Sequence, residues 1–78
     1  SNAVFPNPAS NQLNVRFDAA FNGMINLVAL DGRILASEYF ASEYASVASL
    51  NVENVPAGMY ILSLNDGSAI QTYSVSVQ

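Results

Sequence analysis

Turn-forming residues recur along this chain of 78 residues. The clearest are Asn22-Gly23, Asp31-Gly32 and Asn65-Asp66-Gly67-Ser68, and apolar or alternating segments lie between them. Turn signals spaced by about 8 to 12 residues favour a β-sandwich or a barrel over units that alternate strand and helix. A chain of this length forms a single domain, so we predict one small all-β domain.

Composition decides which partners such a domain can have. Hydrophobic residues make up 51% of the chain, so a core can form even though cysteine is absent. The net charge is −4, with two arginines and no lysine. Binding to nucleic acid or to an anionic membrane surface requires clustered cations. No apolar run approaches the roughly 18 to 20 residues of a membrane helix. We therefore expect no nucleic-acid partner and no membrane insertion.

Hydrophobic patterning predicts six strands in the chain. They are Leu13–Asp18, Met24–Leu30, Arg33–Phe40, Val47–Val52, Met59–Leu64 and Ile70–Val77. Alternation along the first and last of them predicts which side chains face the interior. The predicted core is Leu13, Val15, Phe17, Leu27, Leu50, Tyr60, Leu62, Val75 and Val77.

Three turns are predicted to connect these strands. Asn22-Gly23 reads as a tight turn, and Asn65 to Ser68 joins the last two strands. Asp31-Gly32 has the composition of a type I′ hairpin, in which both central residues have positive φ. We expect the adjacent Arg33 to form a surface ion pair with Asp31 or Glu53, of little energetic value.

A tandem repeat complicates the middle of the chain. Ala36-Ser37-Glu38-Tyr39-Phe40 is followed at once by Ala41-Ser42-Glu43-Tyr44-Ala45. Because five is odd, an unbroken strand would send equivalent residues to opposite faces, so we expect a turn or bulge near Ala41-Ser42. The alternative is a helix from about Ala36 to Leu50, with apolar residues at helical spacing.

The residues available for chemistry argue against an enzyme. Histidine, cysteine and lysine are absent, so the usual bases, thiol nucleophiles and Schiff-base amines are missing. The acidic residues share no motif spacing; they are Asp18, Asp31, Glu38, Glu43, Glu53 and Asp66. We interpret the oxygen-rich loops at Asp31 and Asp66 as hairpin turns rather than calcium sites. Tyr39 and Tyr44 are the tyrosines free to stack on a sugar. We expect no catalytic residue, metal or cofactor.

The first residues have the composition of a cloning remnant. Ser1-Asn2-Ala3 resembles the short segment that remains when an expression tag is cleaved. We therefore predict that residues 1–3 are a tag scar and that residues 4–78 form a single sandwich domain. Such a scar also suggests a piece taken from a longer parent protein.

Three short motifs occur in a fixed order: Phe5-Pro6-Asn7-Pro8-Ala9, then Leu30-Asp31-Gly32-Arg33-Ile34, then Pro56-Ala57-Gly58-Met59-Tyr60-Ile61. In this order, and over the chain from about Val4 to its end, they resemble the C-terminal sorting domain of the type IX (Por) secretion system of Bacteroidota. Family members usually end in a lysine-rich strand, whereas the segment Ile70–Gln78 contains neither lysine nor arginine. The candidate sorting residues are Pro6, Asn7, Pro8, Asp31, Gly32, Arg33, Gly58, Tyr60, Tyr73, Val75 and Val77.

The resemblance implies a fold, a function and partners. The fold is an immunoglobulin-like antiparallel β-sandwich of about seven short strands. The function is a sorting signal that directs a parent protein, joined ahead of this segment, across the outer membrane. The implied partners are the type IX machinery and a sortase-like peptidase, and the destination is the cell surface or medium by way of the periplasm. The alternative is an immunoglobulin-like binding or spacer module of a surface protein, for adhesion or carbohydrate binding.

Overall fold

A computed structural model describes residues 2–78 and contains seven β-strands and no helix over that range. The strands are β1 (Ala3–Phe5), β2 (Gln12–Phe17), β3 (Phe21–Val28), β4 (Ile34–Ser42), β5 (Ser46–Asn51), β6 (Gly58–Asn65) and β7 (Ile70–Val77). One sheet has the order β1-β2-β5 and the other has the order β4-β3-β6-β7, and neighbouring strands are antiparallel. The prediction of an all-β sandwich is confirmed. The helical alternative for residues 36–50 is wrong, because these residues form β4 and β5.

The core lies between the two sheets and contains all nine residues predicted from the alternation. Each is at most 8% exposed, and Leu13, Leu27 and Leu62 are completely buried. The buried set also includes Ala9, Ile25, Ala48, Val52 and Leu64. Alternation succeeded here because successive side chains of a strand point to opposite faces, and only one face of each sheet meets the other sheet.

Two features support the immunoglobulin-like part of the prediction. The four-stranded sheet places β3, β6 and β7 side by side, as strands C, F and G lie in immunoglobulin domains, and β4 extends it beyond β3. Near the start of β6, the Tyr60 hydroxyl donates a hydrogen bond to the carbonyl oxygen of Pro56. A tyrosine that bonds to the backbone a few residues upstream at this corner is a hallmark of the same sandwiches.

Strand β1 was missed by sequence analysis, and it uses residues close to the chain start. Ala3 pairs with Arg16, and the Asn2 side-chain oxygen accepts a hydrogen bond from the Asp18 amide at 3.3 Å. Three residues are too few to show a periodic pattern, so only tertiary pairing reveals this strand. Ser1 lies outside the described residues, and the origin of residues 1–3 as a tag scar stays a prediction.

The turn predicted at Asn22-Gly23 is wrong, because both residues lie within β3. The chain reverses instead at residues 18–20, between β2 and β3. Gly23 is required by a close approach, because a Cβ atom there would overlap the backbone oxygen of Asn65. Glycine inside a strand often marks such an approach of another backbone, and here it admits the end of β6.

The hairpin predicted at Asp31-Gly32 is present, but its turn is not type I′. The Gly32 amide donates to the Ala29 carbonyl at 2.9 Å, which makes Leu30 and Asp31 the central residues. No residue other than glycine has positive φ between residues 2 and 78, and Gly32 has φ of 95°. The loop is therefore a three-residue hairpin whose last residue, Gly32, takes the left-handed conformation.

The tandem repeat is accommodated by a turn that lies later than predicted. Strand β4 continues through Ser42, and the chain turns at residues 43–45. The register also shifts near the start of β4: Leu27 pairs with Ala36 and Val28 pairs with Ile34, which leaves Leu35 unpaired. This β-bulge decides which β4 side chains face the other sheet.

Candidate functional site

The three sequence motifs meet at one end of the sandwich, which we call the signature end. It comprises loop 6–11, loop 29–33, loop 52–57 and Gln78. The strand registers bring them together, since Gln12 pairs with Asn51, Val28 with Ile61, and Gly58 with Val77. In the sequence each motif is a separate turn-forming segment, and the fold places all three at the same end of the sandwich.

The first motif holds the end of the last strand. The Ala9 amide donates to the Ser76 carbonyl at 2.8 Å, and the Gln78 amide donates to the Ala9 carbonyl at 2.7 Å. The Asn7 side-chain oxygen accepts a third hydrogen bond, from the Ser76 amide, at 2.9 Å. Ala9 also forms a parallel bridge with Val77, and it is only 1% exposed. We call residues 7–9 the clasp, since they add to the edge of β7 and cover its last backbone groups.

The second motif carries an exposed ion pair. Arg33 Nε lies 3.0 Å from Asp31 Oδ2, and the Arg33 amide donates to Asp31 Oδ1 at 3.1 Å. The Arg33 amide, and then its guanidinium, lower the pKa of the Asp31 carboxyl below its ordinary value of 3.8. The two side chains are 72% and 61% exposed, so the pair orients Arg33 more than it stabilises the fold. The predicted partnership of Arg33 with Asp31 is confirmed.

The third motif anchors the remaining loop of the signature end. Besides the bond from Tyr60 to Pro56, the Val52 amide donates to the Asn11 carbonyl at 2.9 Å. The Val55 amide closes the loop by donating to the Val52 carbonyl at 3.0 Å. Loop 52–57 is thus tied to β6 on one side and to loop 6–11 on the other.

The comparison with protein families agrees with this assembly of motifs. The family model described as "Secretion system C-terminal sorting domain" matches residues 3–78, so it spans all three motifs and the last strand. The chain belongs to this family of type IX sorting domains. No curated protein and no solved structure matches it. Membership implies that the domain acts with the type IX secretion system and is exported to the cell surface or medium.

The candidate residues of the sorting domain fall into two groups. Those at the surface of the signature end are exposed: Pro6, Asn7, Pro8, Asp31, Gly32, Arg33 and Gly58. Tyr60, Val75 and Val77 are at most 8% exposed and belong to the core. They support the structure of the signature end but are not accessible to a partner. Tyr73 lies apart, half-buried near the opposite end beside Gln71, to whose side chain its hydroxyl bonds at 3.0 Å. A direct role for these residues in sorting stays a prediction.

The clasp contains a buried residue, Ala9, that is not among the candidate sorting residues. Ala9 is the apolar residue that ends a stretch of prolines and asparagine, and its burial inside the sorting domain is nearly complete. An isolated small apolar residue between turn formers was the available signal. Its pairing with Val77 could not be predicted, because the two residues are distant in sequence and their bridge is parallel in an otherwise antiparallel sheet.

The opposite end of the sorting domain is acidic and contains a surface cleft. It is formed by the loops 18–20, 43–45 and 66–69, which contribute Asp18, Glu43 and Asp66. A cleft of about 520 Å³ lies there, with Phe17, Phe21 and Tyr73 in its walls. Within residues 2–78, no group of three acidic, histidine or cysteine residues is placed to hold a metal, and no helix could span a membrane.

The two tyrosines considered for sugar stacking lie on different surfaces. Tyr39 is on the outer face of the four-stranded sheet, where it is 61% exposed and its hydroxyl donates to the Asn22 side chain. Tyr44 lies in loop 43–45 and is 77% exposed. The structure therefore does not bring them together as two walls of one binding platform.

Proposed function

We propose that the sorting signal is read as a folded surface, the signature end, together with the free edge at the start of β7. In this proposal the domain is the sorting signal of a parent protein that precedes it in the chain. The domain is recognised in the periplasm, the parent is carried across the outer membrane, and a sortase-like peptidase then removes the domain.

The clasp is the observation that carries this proposal. A linear tag would be read from its own residues, but here the last residues of the chain are fixed by backbone and side-chain bonds from residues 7–9. Ser76 and Gln78 therefore have their conformation only in the folded domain. A receptor that binds this end meets the first and last motifs as one unit.

The free part of the β7 edge offers a second contact. Strand β7 is an edge strand of the four-stranded sheet, but the clasp covers its end. The backbone between Ile70 and Tyr73 has no partner on that edge among residues 2–78. A strand of a receptor can add there by main-chain hydrogen bonds, which compensates for the lack of lysine and arginine in β7.

The chain path leaves the signature end accessible to such a receptor. Strand β1 begins at the acidic end, where Ala3 pairs with Arg16, and β7 ends at the signature end. The domain extends 33 Å along its longest axis. A parent joined ahead of β1 attaches at the acidic end, where the Asn2 side chain donates to that of Gln71, and leaves the signature end uncovered.

The test is export of a reporter in a strain with a working type IX apparatus. Residues 3–78 are fused to the C-terminus of a periplasm-targeted reporter, and surface display and release of the domain are measured. We expect display, its loss when Ile70–Gln78 is deleted, and a clear reduction with Asn7→Ala. Asn11→Ala is the matched control, since its side chain forms no hydrogen bond within residues 2–78, and it should be displayed normally.

Two results would contradict the proposal. Display that is unaffected by Asn7→Ala, in a variant with measurably faster exchange of the Ser76 amide, would show that the clasp is not part of the signal. Retention of the unaltered fusion in the periplasm, while another family member is exported from the same strain, would favour the alternative of a binding or spacer module.

A further inference from the structure

The free edge of β4 is the longest free strand edge among the described residues. Strand β4 has nine residues and pairs only with β3, whereas β1 has three residues and the end of β7 is covered by the clasp. Proteins protect such edges with proline, lysine or inward-pointing charges. Strand β4 contains neither proline nor a basic residue, so its protection against unwanted pairing comes from the bulge near Leu35 and from its single charge, Glu38.

Glu38 occupies an unusual position for a carboxylate. It pairs with Ile25, which is fully buried, so its side chain lies on the face of β4 that is turned toward the other sheet. It is nevertheless exposed, and β4 is an edge strand of its sheet. Among the described strands it is the one acidic residue, and it forms no ion pair or hydrogen bond within residues 2–78.

The position of Glu38 within the strand argues against self-association. It is the central residue of β4, which runs from Ile34 to Ser42. Two copies paired antiparallel along the full strand would therefore place Glu38 of one copy directly opposite Glu38 of the other. Like charges directly opposite each other destabilise a strand pair, whereas opposite charges stabilise it.

The neighbours of Glu38 define what an added strand must present. Ala36 and Phe40 lie on the same face two residues away in each direction, and both pack against the core. We propose that the β4 edge docks an extended segment of a partner protein, in which a basic residue faces Glu38 between two apolar residues. Backbone pairing with β4 supplies the attachment, and the charge selects the partner and the register. This inference does not depend on the sorting proposal.

A pair of peptides tests the inference directly. The probe is the capped peptide Thr-Val-Thr-Lys-Thr-Val-Thr, and its control has glutamate in place of lysine. Binding to the 78-residue chain is followed by NMR, with amide exchange used to locate it. We expect the lysine peptide to bind about tenfold more tightly than the glutamate peptide, in line with measured cross-strand charge pairs. Amide protection should map to β4.

Charge-reversal variants make the test specific. Glu38→Lys should reverse the preference between the two peptides, and Glu53→Lys, which makes the same charge change in loop 52–57, should leave it unchanged. The inference is overturned if neither peptide binds, if both bind equally, or if protection maps to β5 or β7. A reversal that occurs equally in Glu53→Lys would also overturn it, because net charge alone would then explain the preference.

Discussion

The side-chain oxygen of Asn7 accepts a hydrogen bond from the Ser76 amide at 2.9 Å, across 69 positions of sequence. This bond joins the first motif of the chain to its last strand. Together with the two backbone bonds of Ala9, it makes the conformation of the C-terminal residues depend on the N-terminal motif. The C-terminal residues of the sorting domain therefore take this conformation only when the domain is folded.

Removing the Asn7 side chain should loosen the end of β7. We expect Asn7→Ala to lower the free energy of unfolding by about 0.5 to 1.5 kcal/mol, the usual net contribution of one hydrogen bond. The Ser76 amide should exchange faster than in the unaltered chain. Asn11→Ala, measured by the same denaturation and exchange experiments, should be close to neutral. Equal effects of the two substitutions would show that the clasp bond contributes nothing.

Gly32 should tolerate only residues that accept positive φ. A Cβ atom there meets no other atom within 4 Å, so the cost of substitution arises from the backbone conformation alone. Gly32→Val should lower the free energy of unfolding by about 1 to 3 kcal/mol, and Gly32→Asn by clearly less, since asparagine enters the left-handed region more readily. Chemical denaturation of both variants provides the measurement. Equal costs for the two residues would contradict the turn described for this hairpin.

Substitution of Gly23 should destabilise the domain for a different reason, and asparagine should be tolerated there no better than alanine. Its substitution by alanine drives a Cβ atom against the backbone oxygen of Asn65, so β3 and β6 must separate locally. We expect a loss of about 1 to 3 kcal/mol, as for other overpacked sites. Amide exchange should quicken around Met24 and Asn65, which pair where the two strands first meet. An unperturbed exchange pattern there would contradict this reading of the close approach.

The hydroxyl of Tyr60 should contribute more to stability than that of Tyr73. Tyr60 is 8% exposed and donates to the Pro56 carbonyl, whereas Tyr73 bonds to an exposed side chain, that of Gln71. Tyr60→Phe should therefore cost about 1 kcal/mol, because it leaves a carbonyl without its partner. Tyr73→Phe, made as the matched control, should cost much less. Thermal or chemical denaturation that ranks the two variants in the reverse order would contradict the proposed tyrosine corner.

Stability should fall in acid as Asp66 becomes protonated. The amides of Ala69 and Ser68 each donate to its carboxylate at 2.8 Å and lower its pKa below the ordinary value of 3.8. Because the folded pKa is lower than the unfolded one, the stabilisation is present above pH 3.8 and is lost as the pH falls through the folded value.

Asp66→Asn provides the corresponding measurement. The difference in unfolding free energy between the unaltered chain and this variant should be largest at neutral pH and should shrink on acidification. Glu53→Gln also removes one negative charge but loses no side-chain hydrogen bond within the described residues, so it serves as the control for net charge. A pH-independent difference for Asp66→Asn would contradict the role given to the carboxylate.

Sequence patterning predicted the structure best where the signal lies within one short segment of the chain. The alternation of β2 and β7 identified Val15, Phe17 and Val75 as core residues, because the period of a strand is fixed by its own backbone. It misjudged Gly23, which has the composition of a turn but is needed because Asn65 approaches it. It also assigned no face to Glu38, since the bulge at Leu35 sets the phase of β4 and depends on pairing with β3.

The sequence by itself determined the all-β class, nine of the buried residues, most of the strands and, through three ordered motifs, the family. These properties follow from side-chain periodicity and from turn chemistry, which act over a few neighbouring residues. Only the tertiary structure decided that the motifs share one end, that residues 7–9 hold the end of β7, and that Glu38 faces inward on an open edge. Those relationships depend on strand order and register, because contacts between distant segments form only when the two sheets pack together.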